Sequence, residues 1–114
     1  MTKAEGAKFR KAVLAELRRV GAKKNTVPEW RIMYDTEVPT PAGRLMVDTN
    51  ALSTGTVFAR FENSKKGHAC AVNAGGSNPH SGKWNFHFGR ADAARAFARF
   101  KGSLDTVRTC KVKR

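Results

Sequence analysis

The spacing of apolar residues changes period twice along this chain, and the change limits the folds open to it. From Ala4 to Val20 the residues Phe9, Val13, Leu14, Leu17 and Val20 recur at helical spacing, with Lys8, Lys11, Arg18 and Arg19 on the opposite side. The pattern predicts an amphipathic helix with a basic outer face. Gly21 stands where a C-terminal cap belongs, Lys23 and Lys24 suit the negative end of a helix dipole, and Pro28 blocks continuation.

Between Trp30 and Phe88 the period is that of a strand. Trp30, Ile32 and Tyr34 alternate with Arg31, Met33 and Asp35; Leu45 and Val47 alternate with Met46 and Asp48; Val57, Ala59 and Phe61 alternate with Phe58, Arg60 and Glu62. Residues 68–73 (HACAVN) and 83–88 (KWNFHF) read as two further strands, and the separators PTPAG, NALSTG, ENSKKG and NAGGSNPHSG are rich in turn formers. Short connections make antiparallel neighbours, so the expectation is a meander of about five strands.

After Gly89 the helical period returns. Asp92 is placed to cap a helix running to about Leu104 or Val107, with Ala93, Ala96, Phe97, Phe100, Leu104 and Val107 inward and Arg95 and Arg99 outward. The fold class predicted is therefore α+β: an N-terminal amphipathic helix, an antiparallel meander and a C-terminal helix. Both helices need an apolar surface, and one sheet face is the only large one available. The division expected is a single domain over residues 1–107 and a basic C-terminal tail over 108–114.

Charge narrows the partners. The chain has a formal net charge of +13 on 114 residues, divided as +6 over residues 1–24, −2 over 25–62 and +9 over 63–114. Such a field gathers polyanions, so the expected partner is nucleic acid, DNA or RNA, held through backbone phosphates with little sequence readout. Candidate contacts are Lys8, Lys11, Arg18 and Arg19 on the first helix and Arg95 and Arg99 on the last. The segment from Lys65 to Lys83 joins them through Lys65, Lys66, Asn78, His80 and Lys83. The helix–sheet–helix order with basic helices is similar in gross layout to double-stranded RNA-binding domains, whose helices and one loop reach across grooves. The chain lacks that family's loop and helix signatures and carries extra strand material between Trp30 and Asp48, so no membership follows.

In the segment 83–88, Trp84, Phe86 and Phe88 face one way and Lys83, Asn85 and His87 the other. Exposed, the aromatics would make a base-stacking platform; the apolar faces of the helices need partners, so they are expected in the core. Lys83, Asn85 and His87 then become the outward candidates. Gly82-Lys83 does not complete a phosphate-binding P-loop, which would need glycine at Ser77 and Ser or Thr at Trp84. Exposed N–H groups around Gly75, Gly76 and Gly82 remain a candidate phosphate cradle.

Other chemistry has weaker support. His68, Cys70 and His87 match no zinc spacing, and no cofactor or metal is expected. A small nuclease or toxin using His80 or His87 with Asp92 is a third reading, without paired carboxylates to support it. The rival from another class is a phage or mobile-element accessory protein that inhibits a host defence complex, of anti-CRISPR type, by docking its basic surface on an acidic protein face. The chain has neither an apolar signal-type start nor a run near the roughly 20 apolar residues that span a bilayer. The expectation is a cytoplasmic protein without a membrane partner, with Cys70 and Cys110 as reduced thiols.

Overall fold

The computed structural model describes residues 1–75 and 81–111. Helix α1 spans Lys3–Arg19, starting where the Thr2 hydroxyl accepts from the Glu5 N–H at 3.1 Å. Phe9, Val13 and Leu17 form its buried stripe. Gly6 lies on the same stripe against the Ser53 carbonyl, where a Cβ would come within 1.9 Å of the oxygen, so no larger residue fits without moving backbone.

The sheet follows as β1 Lys23–Lys24, β2 Thr36–Thr40, β3 Gly43–Asp48, β4 Thr56–Phe61 and β5 Phe86–His87, antiparallel throughout and in the spatial order of the sequence. Between β4 and β5 lies α2, Ser64–Asn73, and α3 closes the fold at Ala93–Arg108. Alternation sends Val38, Leu45, Val47, Val57, Ala59 and Phe61 to the inner face, where α1 and α3 pack with one another and on the sheet. Phe100, Leu104 and Val107 of α3 are fully buried there. Each large side chain removed from water in this way contributes roughly 1.5–3 kcal/mol. Asp92 caps α3 by accepting from the Arg95 N–H at 2.8 Å, while Glu5 of α1 accepts from the Ala93 N–H at 2.8 Å, so the two helices share a polar tie at one end.

The α+β class and the meander agree with the sequence reading, but the strands are not all the expected ones. Residues 30–34 do not form a strand. Pro28 begins a 3-10 turn through Trp30, and Asn25 holds the following loop closed: its N–H donates to the Asp35 carbonyl at 3.0 Å and its Nδ2 to the Tyr34 carbonyl at 2.8 Å. The strand starts only at Thr36, and Lys23–Lys24 supplies the edge beside it.

Residues 68–73 are helical, within α2. Asn63 accepts from the Lys66 N–H at 3.1 Å, and Gly67, Cys70, Ala71 and Ala74 recur at helical spacing on the buried side. The short alternation of small residues suits a helix as well as a strand, and here the cap decides. Gly67 lets α2 lie directly on β4, since a Cβ there would sit 2.3 Å from the Phe61 ring. The expected strand over 83–88 shrinks to Phe86–His87, preceded by an isolated Arg60–Lys83 bridge.

Cys70 and Cys110 are joined in a disulfide across 40 residues of chain, not held as separate thiols. The helical turn of α2 brings Cys70 to the end of α3, a placement that a strand at 68–73 would not have produced. Arg108 is the last residue of α3, and Cys110 is tied back to α2, so the basic stretch from residue 108 begins inside the folded structure. Phe97 is half-buried and not fully in the core.

Candidate functional site

The candidate residues lie on two surfaces, the outer sides of the helices and the outer face of the sheet. On α1 the four candidate cations, Lys8, Lys11, Arg18 and Arg19, are not equivalent. Lys8 Nζ stands 3.7 Å from Glu5, and Arg19 grips buried Glu16 through Nε at 3.0 and 3.1 Å as well as through Nη2. Arg19's hydrogen bond holds the Glu16 carboxyl below its ordinary pKa against the opposing effect of burial, with help from the charges of Arg19, Lys101 and Arg108. Lys11 and Arg18 are exposed and have no acidic partner among the described residues. On α3, Arg95 Nε lies 3.9 Å from Asp92, and the Arg99 guanidinium covers the Phe88 ring at 5.5 Å. Lys65 and Lys66 occupy the exposed first turn of α2 and not a loop, which adds their charge to the positive end of that helix.

Of the three glycines expected to cradle a phosphate, Gly82 has a structural place of its own. Gly82 is buried against Ser64, whose Cα would stand 2.9 Å from an added Cβ, and its carbonyl accepts from the Phe61 N–H at 2.9 Å. It is a packing glycine. Gly75 is exposed with φ +76°, while Gly76, Asn78 and His80 lie outside the described residues.

Trp84, Phe86 and Phe88 are core residues, as their phase predicts. Trp84 meets Phe86 edge-on at 5.1 Å and Phe86 stacks on Phe88 at 5.3 Å. The Trp84 indole N–H donates to Ser103 Oγ at 2.6 Å, and that hydroxyl donates to the Ala74 carbonyl, so the one polar atom of the ring is satisfied inside.

The outward phase builds a groove of about 410 Å³ on the other sheet face. Its sheet side is made by Asp48, Phe58, Arg60, Lys83 and Asn85, and its far side by Ile32, Met33 and Tyr34. Register explains the grouping: Asp48 pairs with Phe58 across β3 and β4, and Arg60 with Lys83 beyond them. Asn85 sits where a ladder carbonyl would be, its side-chain oxygen accepting from the Ala59 N–H at 3.0 Å, so it shapes the strand as well as lining the groove. His87 is exposed on β5, edge-on to Phe58 at 5.9 Å.

The far side is the loop that replaced the expected strand. Glu37 accepts from the Thr26 N–H at 2.6 Å and from its hydroxyl, and pairs with Arg44 at 3.1 Å. Burial pushes the Glu37 carboxyl up, but the Thr26 hydrogen bonds and the charges of Arg44 and Lys23 outweigh it and leave the group below its ordinary value. At the other end Asp35 accepts from the Thr49 N–H at 2.9 Å and from its hydroxyl. Between these anchors Trp30 lies beneath the Arg60 guanidinium at 5.5 Å, and Tyr34 is buried, its phenol pushed up by that burial, against the charge of Arg60 and together with that of Asp48. Tyr34 and Met46 are buried but stand outside the main apolar cluster.

Ile32 and Met33 stand out at the loop tip, 96% and 62% exposed. With Phe58 they are three of the four exposed large apolar residues among the described residues, and all three line the groove. Sequence reasoning reached Lys83, Asn85 and His87 but passed over Ile32, Met33, Phe58 and Arg60. Phe58 and Arg60 were readable, because they occupy the polar phase of a strand whose other phase is wholly apolar.

Among the described residues no group of three or more His, Cys, Asp or Glu side chains converges as a metal site, and Cys70 is committed to its disulfide. Asp92 caps α3, its Oδ1 accepting from the Arg95 N–H. No helix among the described residues is long and apolar enough to cross a membrane. No family model matches the chain, and neither a curated protein nor a solved structure matches it.

Proposed function

We propose that this protein is a small nucleic-acid-binding module that docks on backbone phosphates with little sequence readout. The observation that carries the reading is the distribution of charge: +13 overall, with Lys11, Arg18, Lys65 and Lys66 exposed and without acidic partners among the described residues. Cations that serve internal structure are neutralised by acids, as Arg19 and Arg44 are; cations left facing solvent in this number concentrate polyanions. Arg95 and Arg99 extend the same field along α3, and Lys83, Asn85 and His87 add contacts on the sheet.

The test is binding of generic DNA and RNA oligonucleotides across a salt series. The expected log–log slope is about −4 or steeper, from roughly five or more neutralised phosphates. A slope near zero, or no binding at low salt, removes the reading.

A second reading has its own support. Exposed Ile32 and Met33 are of no use to a phosphate-only contact and suit an acidic protein partner with an apolar centre, such as the host defence complex targeted by an anti-CRISPR-like inhibitor. A nuclease is the third reading, and degradation of the oligonucleotide in the same samples would mark it. A cytoplasmic location goes with the main reading and makes a demand on Cys70 and Cys110, because disulfides persist in oxidising compartments. Alkylation inside intact cells should label both thiols if the protein resides in the cytoplasm, and neither if the bond forms where the protein works.

A further inference from the structure

The outer groove holds a combination that a duplex-phosphate contact leaves unused. Its apolar rim, Ile32, Met33 and Phe58, is exposed to solvent, and its basic residues, Arg60 and Lys83, face one another across an isolated antiparallel bridge. An apolar rim exposed beside paired cations asks for a ligand that is flat and apolar on one part and anionic on another. An unpaired nucleotide has that form, whereas a base pair inside a duplex hides its ring faces from the solvent.

We infer that this groove takes unpaired bases of a single-stranded nucleic acid, stacked on Phe58, with the adjoining phosphates held by Arg60 and Lys83. The inference rests on the nucleic-acid reading and specifies the substrate class for this face. The volume of about 410 Å³ falls within the roughly 300–1,000 Å³ of small-ligand clefts and is enough for a nucleotide. Arg60 is prepared for the role: its Nε donates to the Ser81 carbonyl at 3.1 Å and its guanidinium lies over Trp30, so little side-chain freedom remains to be lost on meeting a phosphate. Lys83 has no acidic partner among the described residues. The groove's acid, Asp48, directs Oδ1 to the Asn50 N–H at 2.9 Å and to its Nδ2 at 3.0 Å, which disperses its charge next to the proposed phosphate path. Phe58 is steadied by its edge contact with His87, which can stack in turn on a following base.

The experiment is fluorescence anisotropy of the whole protein with a labelled thymidine oligonucleotide of about 20 nucleotides and with a duplex of equal length, each over a salt series. Phe58→Ala should weaken single-strand binding about tenfold or more with an unchanged salt slope, and duplex binding by less than about twofold. Phe58→Trp should restore the single-strand affinity. Lys11→Ala with Arg18→Ala, on the helix face, should instead make the slope shallower for both oligonucleotides. Met33→Glu, at the exposed rim, reads the same surface if Phe58→Ala does not fold by circular dichroism. Unchanged single-strand affinity in folded groove variants overturns the inference and leaves the phosphate reading standing, and is also the result expected if the groove serves a protein partner. Equal losses for single strand and duplex overturn it as well. Absence of binding to either oligonucleotide by the unaltered protein brings down both.

Discussion

The two faces of the sheet are built from the same strands and do opposite things. On the inner face, Val57, Ala59 and Phe61 have no exposed surface, with Phe61 against Gly67 of α2; on the outer face of the same strand, Phe58 is exposed and Arg60 half-buried. The inner side chains have helices to cover them. The outer ones have the loop over residues 25–35, held by Asn25, Asp35 and Glu37, in which Tyr34 is buried while Phe58 on the sheet stays exposed. An antiparallel sheet can leave one face to solvent, but a solvated face is ordinarily polar. Apolar and basic side chains together on the open face point to binding, while apolar side chains on the closed face account for stability.

That contrast is broken most directly by truncating one aromatic on each side. Trp84→Ala removes a fully buried ring and the indole partner of Ser103, and should cost about 3–5 kcal/mol in chemical denaturation. Phe58→Ala should stay within about 1 kcal/mol. Comparable losses would mean that the outer face is part of the core after all.

Reduction of the Cys70–Cys110 bond comes next. A disulfide closing 40 residues is worth roughly 3–4 kcal/mol by the chain-entropy argument, and it ties α2 to α3 on the inner side. Reductant should therefore lower the melting temperature while leaving single-strand affinity of the still-folded protein unchanged. A loss of affinity at temperatures well below melting would couple the two faces and blur the division.

Acid should separate them in the other direction. The folded pKa of Glu37 lies below its ordinary value of 4.5, so its stabilising contribution is complete above that value and disappears as pH falls through the folded one. Its partner Thr26 belongs to the outer loop, so the Trp30 signal, followed in a Trp84→Phe background, should change on acidification before the helices melt. Glu37→Gln should flatten that early change. An identical acid profile in the variant would show that Glu37 does not hold the loop.

Much of this was legible in the sequence because it is local. The periods of 3.6 and 2, the cap at Asp92, and the inward phase of Trp84, Phe86 and Phe88 follow from the geometry of helices and strands, which acts over a few residues. The charge that motivates the nucleic-acid reading is a property of composition. What the chain order could not decide was which short ambiguous stretches obeyed their own alternation. Residues 68–73 became a helix through the Asn63 cap and the close approach of Gly67 to Phe61; residues 30–34 became a loop through hydrogen bonds from Asn25 to Asp35 and Tyr34. Both outcomes depend on partners beyond the stretch itself, and both have consequences at a distance. The helix carries Cys70 to Cys110, and the loop sets Ile32 and Met33 opposite Phe58 and Arg60. Local periodicity determined which residues could face outward. Only tertiary packing, by covering one sheet face with helices and setting a loop beside the other, decided which of them would meet around an open groove.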